Sequence, residues 1–151
     1  MKPLAVLLIV FGLVWGSTAL VNPSIDIAWA ARVGMSAMLV FTAMGHFVFT
    51  QGMTLMIPNG FPCKRALVFA TGILEVALAV GISIPGIRQL SAWVLIAFLV
   101  VLLPANIKAA REGIDFQKPH AVGKGLRYLW FRIPLQFFWV LWTYYSCIAV
   151  E

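Results

Sequence analysis

The chain has 151 residues, of which 62% are hydrophobic and 11% charged, with a mean hydropathy of +0.97. So little polar surface cannot cover a globule in water, which excludes an ordinary soluble domain and points to an integral membrane protein of one small helical bundle. The net charge of +6 does not indicate a nucleic-acid binder. Its basic residues sit in short segments between apolar runs, where they act as topology signals.

The apolar runs are long and do not alternate, which predicts helices rather than barrel strands. Five spans are expected. The first is Leu4–Val21, ended by Asn22-Pro23. Its LAVLLIVFGLVWG core also fits a signal sequence, with Ser17-Thr18-Ala19 as a cleavage site, and it is read here as a retained helix. The second, about Ile25–Thr50, is entered through Ser24 as N-cap. A loop Gln51–Arg65 follows, whose MTLMIPNGFP stretch is apolar enough to lie in the interface or re-enter the bilayer. The third span is Ala66–Ile84, stopped by Pro85-Gly86. The fourth is Leu90–Ala110 and the fifth Tyr128–Val150. At ~1.5 Å per residue each covers most or all of a ~30 Å hydrocarbon core.

With the N-terminus cytoplasmic, the connections after the second and fourth spans are cytoplasmic too. They hold Lys64, Arg65, Lys108, Arg111, Lys118, Lys124 and Arg127, as the positive-inside rule requires. The C-terminus is then external. Trp29, Trp93, Tyr128, Trp130, Tyr144 and Tyr145 fall near span ends, as an aromatic belt would. Arg32 is read as interfacial, paired with Asp26, and outside any site. Cys63 and Cys147 fall at opposite faces, which argues against a disulfide between them.

Polar residues inside the spans are the functional signal. His46 and Thr42 lie near the inner end of the second span, Asn106 follows Pro104 near the inner end of the fourth, and Arg132 and Gln136 open the fifth. Thr71 and Glu75 share a face of the third, with Glu75 ~13 Å deep at ~1.5 Å per residue. If these faces meet they form one polar pocket, in which Glu75 pairs with Arg132 or hydrogen-bonds His46, Gln136 or Thr71. A buried acid beside an imidazole can move protons. Glu75 and His46 are therefore the candidate catalytic pair, and Arg132, Gln136, Asn106 and Thr71 the candidate ligand-binding groups. The plainer readings stand beside this one: Arg132 snorkels to the headgroups, Asn106 repairs the Pro104 kink, and Glu75 belongs to a structural ion pair. His46 and Glu75 offer too few ligands for a closed metal site, and His120 lies in a loop, so haem ligation by two histidines is not supported.

The order GHF (Gly45–Phe47), IP (Ile57-Pro58), TGILE (Thr71–Glu75), PANI (Pro104–Ile107) and RIPLQ (Arg132–Gln136) resembles the DoxX-like membrane proteins over roughly Arg32 to Trp142. That resemblance implies a four-helix core, residues 25–150 here, with residues 1–22 an additional N-terminal helix, in a bacterial inner membrane. The family motif positions are His46, Glu75, Asn106, Arg132 and Gln136. It also implies association with quinone-linked redox complexes, while distant animal relatives act as receptor-assembly chaperones. Three readings follow. The first is a quinone-linked accessory subunit, in which the pocket holds a lipophilic quinone and a redox partner protein supplies electrons. The second is a non-redox acid–base enzyme acting on a hydrophobic substrate. The third is an assembly or structural subunit of a membrane complex.

Overall fold

Helices form here because long apolar runs carry few polar side chains to satisfy the backbone any other way, and Pro, Gly and Asn mark where they stop. The computed structural model describes residues 2–21, 26–117 and 125–150, and its described residues contain helices and no strand. In chain order these are α1 (Lys2–Val21), α2 (Ile27–Val48), α3 (Thr50–Met56), α4 (Lys64–Gly81), a 3-10 turn (Pro85–Ile87), α5 (Arg88–Val101), α6 (Leu103–Arg111) and α7 (Arg127–Tyr144), which runs into a π-helical turn (Tyr145–Ala149). Three stretches are long and apolar enough to cross a membrane: α1, α2, and Pro85–Arg111 taken as one.

Four expectations change. The expected cap Ser24 lies outside the described residues, and Asp26 is the N-cap of α2, its carboxylate accepting from the Ala28 amide at 2.8 Å. The segment read as a loop contains α3, too short to show a helical period. The expected fourth helix is two, broken at Leu102 just ahead of Pro104, which has no amide hydrogen to continue the ladder. Arg32 is buried, at 6% exposure, rather than interfacial. Its guanidinium donates to the Ser146 carbonyl at 2.8 Å and to Asp26 at 3.1 Å, which ties the start of α2 to the turn after α7.

The core gathers Met35, Met38 and Leu39 of α2, Leu78 and Ala79 of α4, Leu95, Phe98 and Leu99 of α5, and Leu135 and Trp139 of α7. From α1 only Leu7 is buried. That helix lies against α2, with Phe11 edge-on to Trp142 at 5.2 Å between ring centroids. Large apolar side chains elsewhere face outward, including Leu13, Ile73, Val101 and Phe137, as they would toward lipid.

Small residues let the helix backbones approach where such bundles pack. A Cβ added to Gly34 would stand 2.9 Å from the Leu7 carbonyl oxygen, and one added to Gly72 would stand 2.8 Å from the Cβ of His46. Hydrogen bonds flank the second contact. The Ser36 hydroxyl donates to the Ala79 carbonyl at 2.8 Å near one end of α4, where Ser83 has turned its own amide to Val80 instead. The Trp142 indole donates to the Ala31 carbonyl at 3.0 Å and joins α2 to α7.

Gly72→Val is expected to force α2 and α4 apart. The expected loss is about 1–3 kcal/mol, typical of overpacking, read as a lower midpoint of thermal unfolding in detergent. An unchanged midpoint would show that the contact is loose.

Candidate functional site

The close approach at Gly72 sets His46 against the face of α4 that carries Val68, Thr71 and Glu75, at i, i+3 and i+7. His46 Nδ1 lies 3.1 Å from the Val68 carbonyl and 3.0 Å from the Thr71 hydroxyl, while Nε2 lies 3.5 Å from Glu75 Oε1. The Thr71 hydroxyl also lies within reach of the Leu67 and Val68 carbonyls. Both members of the ion pair are largely buried, with His46 side-chain exposure at 12% and Glu75 at 7%. Glu75 Oε2 is buried with no hydrogen-bond partner.

With a hydrogen on Nδ1 the ring donates to the Val68 carbonyl, which only accepts; with Nδ1 bare it accepts from the Thr71 hydroxyl instead. Nε2 faces the carboxyl at 3.5 Å, close enough for a proton to be shared with Oε1. Oε2 is buried without a hydrogen-bond partner. The arrangement can accept a proton, hold it and return it.

Of the other sequence-predicted residues, Asn106 and Gln136 come together in a second group. Both are buried. The Asn106 amide approaches Gln136 Oε1 at 3.5 Å, and the Gln136 amide donates to the Leu99 carbonyl. Leu99 is the third residue before the Leu102 break, so Gln136 serves a carbonyl at the end of a helix that Pro104 interrupts. The sequence pointed to a kink repair by Asn106; the side chain that reaches the backbone is Gln136. Arg132 does not pair with Glu75. Its guanidinium stands 5.9 Å from the centroid of the Trp139 ring, within cation–π range. The candidate set thus divides into His46, Thr71 and Glu75 between α2 and α4, and Asn106 and Gln136 between α6 and α7.

Two grooves open near one end of the bundle, and neither is lined by Glu75 or His46. One, of about 620 Å³, is bounded by residues such as Leu55, Asn59, Lys64 and Lys108, and the other, of about 370 Å³, by Pro104, Ile107, Lys108, Arg111 and Glu112. Lys108 was read only as a topology signal. Its ammonium reaches the carbonyls of Leu55 and Ile57 at 3.0 and 2.9 Å and Asn59 Oδ1 at 3.3 Å, while Lys64 reaches the same Ile57 carbonyl and the same Asn59 oxygen at 3.2 and 3.3 Å. No sequence period marks this pair, because its acceptors are backbone atoms of an irregular segment. Among the described residues no cluster of three or more His, Cys, Asp or Glu is placed to hold a metal. Cys63 is exposed and Cys147 buried, both as free thiols.

A family model described as a domain of unknown function, DUF8561, matches residues 35–147, well over half of the chain and every residue of the two polar groups. No curated protein and no solved structure matches.

His46→Leu leaves Glu75 buried without its partner, at an expected cost of about 3–5 kcal/mol. Adding Glu75→Leu removes the stranded carboxyl. The two changes are therefore expected to couple by about 0.5–3 kcal/mol in a cycle of unfolding midpoints. Strict additivity would show that the two side chains act independently.

Proposed function

This chain belongs to the DUF8561 family, and we propose that it is an integral membrane protein whose His46–Glu75 pair handles protons for a lipophilic ligand of quinone type. The observation that carries this reading is a carboxyl with one oxygen committed to an imidazole and the other buried without a partner. An ionisable side chain inside a membrane span points by default to a functional site.

The membrane placement has five spans: α1, α2, α4, α5 with α6, and α7, with the N-terminus cytoplasmic. Support comes from the side chains. Lys64, Arg65, Lys108 and Arg111 collect at one end, Lys64 and Lys108 on a shared backbone segment, and the positive-inside rule assigns that end to the cytoplasm. Trp93, Trp130 and Tyr145 are exposed where an interfacial belt would lie.

A quinone fits part of the site. Glu75 Oε2 suits the hydroxyl of a quinol, which would donate to it, and when protonated it would itself donate to a quinone carbonyl. The Gln136 amide serves Leu99 in this arrangement, so it supports the helix break while the α2–α4 pair does the proton work. When bound, a quinone takes up or gives two electrons with two protons. The electrons come from a redox partner protein, as the DoxX-like resemblance implies, and this chain's part is the protons. Glu75 donates or accepts at the ligand, His46 Nε2 exchanges that proton with Oε1, and Val68 and Thr71 hold the ring through Nδ1. The same pair serves a non-redox acid–base reaction on an apolar substrate, a second reading set apart by turnover without any redox partner.

Mass spectrometry of the protein in native-lipid discs tests the ligand. Wild type is expected to retain a quinone, and Glu75→Gln to retain about tenfold less or lower, the loss of one hydrogen bond to a charged group. No quinone retained, and none bound on addition, would overturn the assignment. Orientation has a separate test in the exposed thiol of Cys63. A membrane-impermeant maleimide is expected to label it in inverted vesicles and not in intact cells. The opposite pattern would reverse the topology.

A further inference from the structure

We infer that the groove between α3, the start of α4 and the end of α6 is a binding site for the phosphate headgroup of an anionic phospholipid. Three cations face it, Lys64, Arg65 and Lys108, against the single carboxylate of Glu112. The neighbouring groove shares Lys108 and Glu112 as a wall and adds Arg111. Glu112 Oε2 stands 3.7 Å from the Lys108 ammonium and offsets one of these charges, which leaves the groove net positive.

Backbone geometry adds a second, independent attraction. Helix α4 starts at Lys64 with no side-chain cap, its N-cap position being Cys63 in the left-handed conformation at φ 50°. The first amide bonded back into this helix is that of Leu67, to the Cys63 carbonyl. The N–H groups ahead of it and the positive end of the helix dipole point toward the side where Lys64 and Arg65 stand, a ready anion cradle.

The groove is also built. Lys108 spends its three donors on Leu55, Ile57 and Asn59 and contributes charge alone, while Lys64 spends two on Ile57 and Asn59 and keeps one for an anion, so both charges are positioned in advance. Arg65 rests its guanidinium 5.8 Å from the centroid of the Phe69 ring, which covers one face of the group and leaves the in-plane donors for an anion. Leu55 and Ile114 line the same groove, and Phe61 and Leu67 nearby are exposed. An apolar rim beside a phosphate cradle suits a lipid, whose acyl chains continue from the headgroup, better than a free ion. Basic pockets between helices at the cytoplasmic side take anionic headgroups in this way. The inference rests on the membrane placement proposed above, which the Cys63 labelling tests by itself.

Native mass spectrometry of the full chain, released from discs of mixed phosphatidylglycerol and phosphatidylcholine, reads this site. One phosphatidylglycerol is expected to stay bound in preference to phosphatidylcholine. Retention is expected to fall about fivefold for each of Lys64→Gln and Arg65→Gln, while Lys64→Arg and Arg65→Lys keep it. The midpoint of thermal unfolding in detergent serves as the folding control, because it reads the bundle without any ligand. Equal retention of the two lipids, or no change in the Gln variants, would overturn the site. Inorganic phosphate that displaces the lipid at millimolar concentration and stabilises the protein equally would overturn the lipid as its occupant.

Discussion

In an apolar medium a polar group must find its partner inside the molecule, because no water is there to supply one. Much of this bundle answers to that constraint. Arg32 finds the Ser146 carbonyl, Ser36 finds Ala79, Trp142 finds Ala31, Gln136 finds Leu99 and His46 finds Val68. In each of these a side chain of one helix reaches the backbone of another. Apolar packing brings the helices together without dictating how they sit against one another, and such directional bonds set their register. Glu75 is one exception, with an oxygen left over, and the Trp139 indole nitrogen and Arg88 Nε are others; of these only Glu75 sits against an imidazole.

The helices were legible because Pro, Gly and Asn punctuate long apolar runs, and element positions follow from that punctuation. Finer features escaped for physical reasons. At seven residues α3 is too short for a period to emerge. Arg32 looked interfacial because depth counting ranks a residue by its distance from a helix end, whereas its partner is a carbonyl on the far side of the sequence. The site was partly legible. Spacing put Thr71 and Glu75 on one face and depth put His46 near them, and His46 was among the partners that the sequence allowed for Glu75. Arg132 was an equally good partner by depth alone. Depth says nothing of azimuth, and α4 meets α2 far more extensively than it meets α7.

The two polar groups also differ in kind. Asn106 turns toward Gln136, and Gln136 toward the Leu99 carbonyl beside the helix break. His46, Thr71 and Glu75 leave an acceptor unspent. A sequence reading that selects polar residues by depth gathers both groups, because structural repair and chemistry draw on the same residue types. What separates them is whether every donor and acceptor has been used.

The bond between Arg32 and Ser146 joins residues 114 positions apart, and that separation bears on the order in which a nascent chain assembles. Arg32 leaves the ribosome 114 residues ahead of its carbonyl acceptor. Over that interval the carboxylate of Asp26 is the near neighbour able to neutralise the guanidinium. Asp26 is therefore more than a helix cap: it escorts a charge through the interval before its final partner exists. Once α7 is in place Arg32 takes up the Ser146 carbonyl while keeping Asp26, and one side chain holds together two segments made far apart in time.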